Sequence, residues 1–183
     1  MNITPAWISN IISIQRKESN IYSSRWIQIA TIGIDNAPRV RTVVFRGWSE
    51  SFEMKIYTDK RSQKYLELER NNNVEICWLF SKAKCQFRFR GLAKIEIGKD
   101  KLIHWNQLNE KSKSMWGWPS PGDNFKLNQR NDYSINNIED QFKNFTLFKI
   151  YITEVDQLIL HKPIHTRRRW IRKNDWIEER INP

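Results

Sequence analysis

The sequence predicts a mainly β protein of the α+β kind: one antiparallel barrel over residues 1–183, with short helices packed outside it. Three observations carry this. Strand-like segments outnumber helical ones and are separated by short polar turns. Residues 85–91, Cys-Gln-Phe-Arg-Phe-Arg-Gly, alternate strictly, with Cys85, Phe87 and Phe89 on one face and Gln86, Arg88 and Arg90 on the other. The helical stretches do not alternate regularly with strands, which disfavours a βαβ sheet.

Taken in order, Pro5 to Arg16 follows a helical period, with Trp7, Ile8, Ile11 and Ile12 near one face and Thr4 as a candidate cap. Strands are expected at Trp26–Ile32, Arg39–Arg46 and Phe52–Thr58, with Asp35-Asn36-Ala37-Pro38 turning the first into the second. A helix over Arg61–Arg70 stops at Asn71-Asn72-Asn73, and Val74–Phe80 is apolar enough for a buried strand. Lys99–Lys111 reads as a helix, Ser114–Asp123 as a Trp- and Pro-rich loop, and Ile135–Phe145 as a helix. Strands at Thr146–Leu160, Thr166–Arg172 and Trp176–Ile181 close the chain, the last two joined at Asn174-Asp175.

Composition bounds the function. No apolar run approaches the roughly 18 residues of a membrane helix, and the N-terminus has no secretory pattern, so a cytoplasmic protein is expected. Two cysteines, Cys77 and Cys85, on neighbouring strands read as buried thiols. His161 and His165 lie four apart on a strand with no third ligand in view, so no metal site is expected. The net charge of +11 points to anionic partners. With six glycines and neither G-x-G-x-x-G nor G-x-x-x-x-G-K-[ST], any phosphate must be held mostly by side chains.

Three basic groups are placed to do that. Arg39, Arg41 and Arg46 flank Thr42-Val43-Val44-Phe45, with Arg39 and Arg41 on one strand parity and Thr42, Val44 and Arg46 on the other. Arg61-Ser62-Gln63-Lys64 opens a helix, where free N–H groups, a hydroxyl and an ammonium converge. His165-Thr166-Arg167-Arg168-Arg169-Trp170 forms the third. Each has a plainer reading: solvated strand faces for the arginines, an N-cap for Ser62, packing for Trp116 and Trp118. Pattern alone stops at an anion-binding β-barrel.

In sequence order these groups resemble the pyridoxamine-5′-phosphate-oxidase-like FMN-binding split barrels, and within them a cyanobacterial- and plant-type subfamily. Residues 38–47, Pro-Arg-Val-Arg-Thr-Val-Val-Phe-Arg-Gly, are similar to the family's FMN strand. Tyr57-Thr58-Asp59 with Ser62-Gln63-Lys64 resembles its phosphate-binding element, and Gln86-x-Arg88-x-x-Gly91 its flavin-facing strand. Residues 165–183 resemble its closing strand pair. The resemblance implies FMN, with its phosphate on Arg41, Thr58, Ser62 and Lys64 and its ring against the main chain of Thr42, Val43 and Val44, with Tyr57 nearby. It further implies a homodimer with FMN at the interface, to which Gln86 and Arg167 contribute.

The departures lie at the substrate side. Gln63 stands where the family has Arg, Asn106 and Glu110 where it has Tyr and Arg, and Pro163-Ile164-His165 where it has Arg-x-His. Gln157 or a neighbour falls where an aromatic is expected. Arg46, Ser114 and His165 remain to hold a small-molecule substrate, and His165 and Arg167 are the candidate catalytic residues. The leading expectation is an FMN-dependent oxidoreductase acting on a substrate other than pyridoxamine phosphate. The alternatives are a genuine pyridoxamine/pyridoxine phosphate oxidase, a flavin-binding module without turnover, and a nucleic-acid-binding barrel using Arg88, Arg90 and Arg167–Arg169 on phosphates.

Overall fold

The computed structural model describes residues 4–124, 138–160 and 162–183. Strands β1 (Trp26–Ile32), β2 (Pro38–Trp48), β3 (Met54–Asp59), β4 (Asn73–Phe80), β5 (Cys85–Glu96), β6 (Phe145–Ile159), β7 (Thr166–Ile171) and β8 (Glu178–Ile181) form one sheet in the order β3-β2-β1-β4-β5-β6-β7-β8. Pairing of β3 with β6 closes the first six strands into an antiparallel barrel, and β7–β8 continue the sheet beyond it. The expected fold class is therefore the observed one.

Alternation drives the closure. Cys85, Phe87 and Phe89 of β5 are at most 1% exposed, whereas Gln86 and Arg88 are half-buried and Arg90 exposed on the outer face. Between Arg90 and Gly91 the pairing with β6 shifts at a bulge. A Cβ at Gly91 would collide with the Tyr151 carbonyl, so only glycine lets the strands approach this closely. Helix α1 (Ala6–Lys17) lays Trp7, Ile8 and Ile11 into the barrel core, where the Trp7 ring meets Trp48, Phe89 and Trp176 edge-on at 5.6–5.8 Å. Pro5, rather than Thr4, occupies its N-cap position.

The remaining helices lie outside. Helix α2 (Gln63–Arg70) covers one end of the barrel beside the β1–β2 hairpin. Helices α3 (Lys99–Asn106), α4 (Glu110–Ser114) and α5 (Ile138–Asn144) roof the outer face of β3 and β6. Phe145 is the centre of that second cluster, with Tyr57, Trp105 and Trp116 each 5.1–5.4 Å away. Trp116 is thus a packing residue, and its carbonyl accepts from Arg61 and Asn144.

Element boundaries differ from expectation where local backbone intervenes. The helix expected over Lys99–Lys111 breaks after Asn106, and Asn109 caps a second one by accepting from the Ser112 N–H at 2.8 Å. Phe52 takes φ +62°, delaying β3 to Met54, and Asp175 and Trp176 with φ +51° and +59° delay β8 to Glu178. Residues 115–117 form a short 3-10 turn within the expected loop. Of the two thiols, Cys85 is buried and Cys77 only half-buried on the outer face. His161 and residues 135–137 lie outside the described residues.

Candidate functional site

The start of α2 brings together four of the expected phosphate-binding side chains. Ser62 sits at the N-cap position but does not cap: its hydroxyl donates to the Asp59 carbonyl at 2.6 Å and lies 3.4 Å from the Thr58 hydroxyl. Ser62 thus caps no N–H group of α2 with its side chain; the Tyr65 N–H donates to the Ser62 carbonyl at 3.0 Å, whereas those of Gln63 and Lys64 precede any intrahelical acceptor. Lys64 reaches back to donate to Ser62 Oγ at 3.3 Å and forms no ion pair among the described residues. Burial first, and then the charge of nearby Arg41, push the Lys64 pKa below the ordinary lysine value. Asp59 and Glu67 oppose that lowering from a distance, Asp59 with both oxygens held by Arg61 at 2.7–3.0 Å.

Arg41 enters from β2 on the parity of inward-facing Val43 and Phe45. Its guanidinium donates to Thr31 Oγ1 and to Glu67 Oε2, the latter at 2.7 Å. On the opposite parity Thr42 and Arg46 are exposed and Val44 half-buried, so the outer face of β2 runs from beside the cradle toward Arg46. A shift in the β2–β3 pairing between Phe45 and Trp48, with Gly47 at φ +112°, ends that run.

Arg46 lies over the Tyr57 ring, 5.0 Å from its centroid, and meets no carboxylate within ion-pair reach among the described residues. Partial desolvation lowers its pKa, and burial raises that of Tyr57. The Tyr57 hydroxyl is 3.0 Å from Nδ1 of His104 on α3. Burial lowers the His104 pKa, and Lys55 and Lys149 lower it further against the opposing Asp100. In the neutral tautomer with Nδ1 unprotonated, His104 accepts a hydrogen bond from the Tyr57 hydroxyl and fixes the ring.

The other expected residues lie elsewhere on the sheet. Gln86 of β5 is opposite Leu158 of β6, which is opposite Arg167 of β7, so Gln86 and Arg167 share one row of the outer face. Three strand spacings, or about 14 Å along the sheet, separate β2 from β5. Arg167 is bound to the buried Asp156 at 2.8 Å, and Arg88 reaches the same carboxylate at 3.1 Å. His165 is exposed, without a described partner. The Ser114 hydroxyl donates to the Lys111 carbonyl within α4.

Residues 4–96, including the cradle, β2, Tyr57 and Gln86, match the family model described as pyridoxamine 5′-phosphate oxidase, FMN-binding domain. The chain belongs to this family. Pyridoxine/pyridoxamine 5′-phosphate oxidase 2 of Arabidopsis thaliana is 39% identical over 92 residues, covering 50% of this chain and 46% of that protein. A pyridoxine/pyridoxamine 5′-phosphate oxidase of Psychrobacter cryohalolentis is 28% identical over 114 residues, 62% of this chain and 52% of that one. The chain thus spans about half the length of the curated relatives it matches. A pyridoxamine 5′-phosphate oxidase-related, FMN binding protein of Nostoc punctiforme superposes with TM-score 0.88 at 25% identity over 100% of both chains. PhzG of Burkholderia lata, solved with tetrahydrophenazine-1-carboxylic acid, shares the fold at TM-score 0.81 and 13% identity, over 97% of this chain and 91% of that one.

The arginines of the nucleic-acid reading all carry carboxylates: Arg88 and Arg167 on Asp156, Arg90 on Glu75 and Glu154, Arg168 on Glu178, Arg169 on Glu179. Such a ladder leaves little free charge for a phosphate backbone. Two residues escaped the sequence reading. Glu67 had a weak signal, three positions after Lys64 on one helix and so near its face. His104 had none, since its pairing with Tyr57 spans 47 positions.

Proposed function

We propose that the chain binds FMN and acts as an FMN-dependent oxidoreductase on a small substrate other than pyridoxamine phosphate. The carrying observation is the cradle at α2: Lys64, desolvated and without a carboxylate, faces Ser62, Thr58 and uncapped helical N–H groups beside Arg41. This donor set fits a phosphate monoester, with the cations making charge-assisted bonds and the helix N-terminus adding positive potential. Bound FMN would supply two-electron redox chemistry at its ring. Thr42 and Val44 would support that ring, Tyr57 would border it, and Arg46 would hold an anionic substrate group beside it.

A second copy of the chain completes this reading. Gln86 and Arg167 stand too far along the sheet to join the cradle within one subunit, yet they share an exposed face with apolar Val40, Trp26 and Leu79, which are 68%, 44% and 58% exposed. Pairing two such faces would cover the apolar surface and carry each Gln86 toward the partner's flavin. Against pyridoxamine phosphate as substrate stands Glu110, exposed and tied only to Lys113 at 3.5 Å, where a phosphate would need a cation. Lys113 leans over Trp105, away from a free role, which weakens the alternative of a genuine phosphate-substrate oxidase.

The test is an aerobic turnover assay of the FMN-loaded protein against pyridoxine phosphate and a panel of unphosphorylated reduced aromatics and carboxylates. Turnover within the panel but not with pyridoxine phosphate supports the reading. Efficient oxidation of pyridoxine phosphate overturns the substrate assignment.

A further inference from the structure

The phosphate cradle contains a carboxylate that a phosphate site does not require. Glu67 is 4% exposed on α2, and a single oxygen, Oε2, accepts from both Thr31 Oγ1 at 2.5 Å and Arg41 Nη2 at 2.7 Å. Thr31 is itself 2% exposed, so the carboxylate is shielded from water, while the Arg41 side chain remains a quarter exposed toward the cradle. Arg41 thereby meets an incoming phosphate with its charge already answered. Asp59 is committed to Arg61, and Gln63 adds no charge, so the cradle offers two cations, Arg41 and Lys64, against one carboxylate. A phosphate monoester near neutral pH brings a charge of about −1.5 to −2, more than that balance neutralises.

We infer that Glu67 is a specificity-determining residue: by occupying Arg41 it limits how strongly the cradle prefers a flavin bearing a phosphate monoester over the same flavin without one. The inference rests on the FMN reading and deepens it. Its content is that one buried carboxylate sets how much the phosphate contributes to the affinity. A merely structural Glu67 would leave the preference between the two flavins untouched.

The experiment titrates FMN and riboflavin, by quenching of flavin fluorescence, into the unaltered protein and into Glu67→Gln. The substitution keeps the shape of the side chain and an acceptor for Thr31 and Arg41 while removing the charge. FMN is expected to bind about tenfold more tightly with riboflavin unchanged, because a like charge within a few ångströms of the phosphate has been deleted in a poorly screened place. A preference for FMN that is unchanged or smaller overturns the inference.

Should Glu67→Gln fail to fold, the unaltered protein still decides. Between pH 5 and 8 the phosphate passes its second ionisation near about 6, opposite Arg41, Lys64 and Arg61 on β2, α2 and the β3–α2 turn. With Glu67 and Asp59 as the opposing carboxylates, the FMN-to-riboflavin preference is expected to rise by less than about threefold; a larger rise overturns the inference. If neither flavin binds at all, the FMN reading fails and takes this inference with it. That result is distinct from binding with an unaltered preference.

Discussion

Lys64 is held in an environment that burial and Arg41 make unfavourable to its charge, and the negative charge of a bound phosphate would offset both effects. Replacing it with Met should weaken FMN by about 10–100-fold, the worth of a charge-assisted bond, and leave riboflavin unchanged in the same fluorescence titration. Because its folded pKa is lowered, FMN affinity should also fall with rising pH sooner than an ordinary lysine, at about 10.5, would allow. Lys64→Arg should remove that alkaline loss. His104 supplies the acid-side counterpart. Its folded pKa lies below the unfolded value of about 6.5, so below that pH the unfolded chain binds the proton more readily. Stability therefore declines as pH falls from about 6.5 toward the lowered folded value. In His104→Gln that part of the decline should vanish from a series of denaturant melts; an identical pH slope in both proteins would rule out the assigned titration.

At the scale of elements, the strands were legible because burial imposes a period of two, which Cys85 to Arg90 displays without interruption. Their ends were less legible because they depend on single backbone conformations. Phe52 and Trp176 adopt positive φ although neither is a residue type that favours it, and composition gives no warning of this; Asp175, which tolerates it, falls in the turn expected at Asn174-Asp175. The turn at residues 35–38 was readable because Asn36, at φ +62°, is the kind of residue that tolerates such a conformation. Gly91 was quoted as part of a motif, and the structure supplies its reason at the β5–β6 bulge. Gly91→Ala should cost about 1–3 kcal/mol in denaturant unfolding, the usual penalty for overpacking, since the obstructing atom is the Tyr151 backbone carbonyl and cannot rotate away. An unchanged midpoint would show that the bulge relaxes freely.

For the molecule as a whole, the barrel was legible from its alternating strands, and the candidate cradle residues lie close together in the sequence, between Arg41 and Lys64. The pairings Arg41–Glu67, Tyr57–His104 and Arg167–Asp156 were not, because they join residues from different elements and charge type alone does not choose partners. The net charge of +11 likewise suggested a general anion-binding surface, whereas β5 and β7 pair their arginines with neighbouring carboxylates. What that face leaves unsatisfied is apolar. Leu79→Glu, which introduces a charge at its centre, should convert a dimer into a folded monomer by sedimentation and weaken FMN by removing the partner's Gln86. A monomeric parent protein would refute the two-subunit site.

The central claim is that this chain carries a flavin on the α2 cradle. Its most direct test is the visible absorption spectrum of the purified protein before and after addition of FMN, with the cofactor released by denaturation and identified. The account predicts flavin absorption at near-stoichiometric occupancy, and FMN as the species released. A colourless protein that also leaves the fluorescence of added FMN unquenched would contradict it.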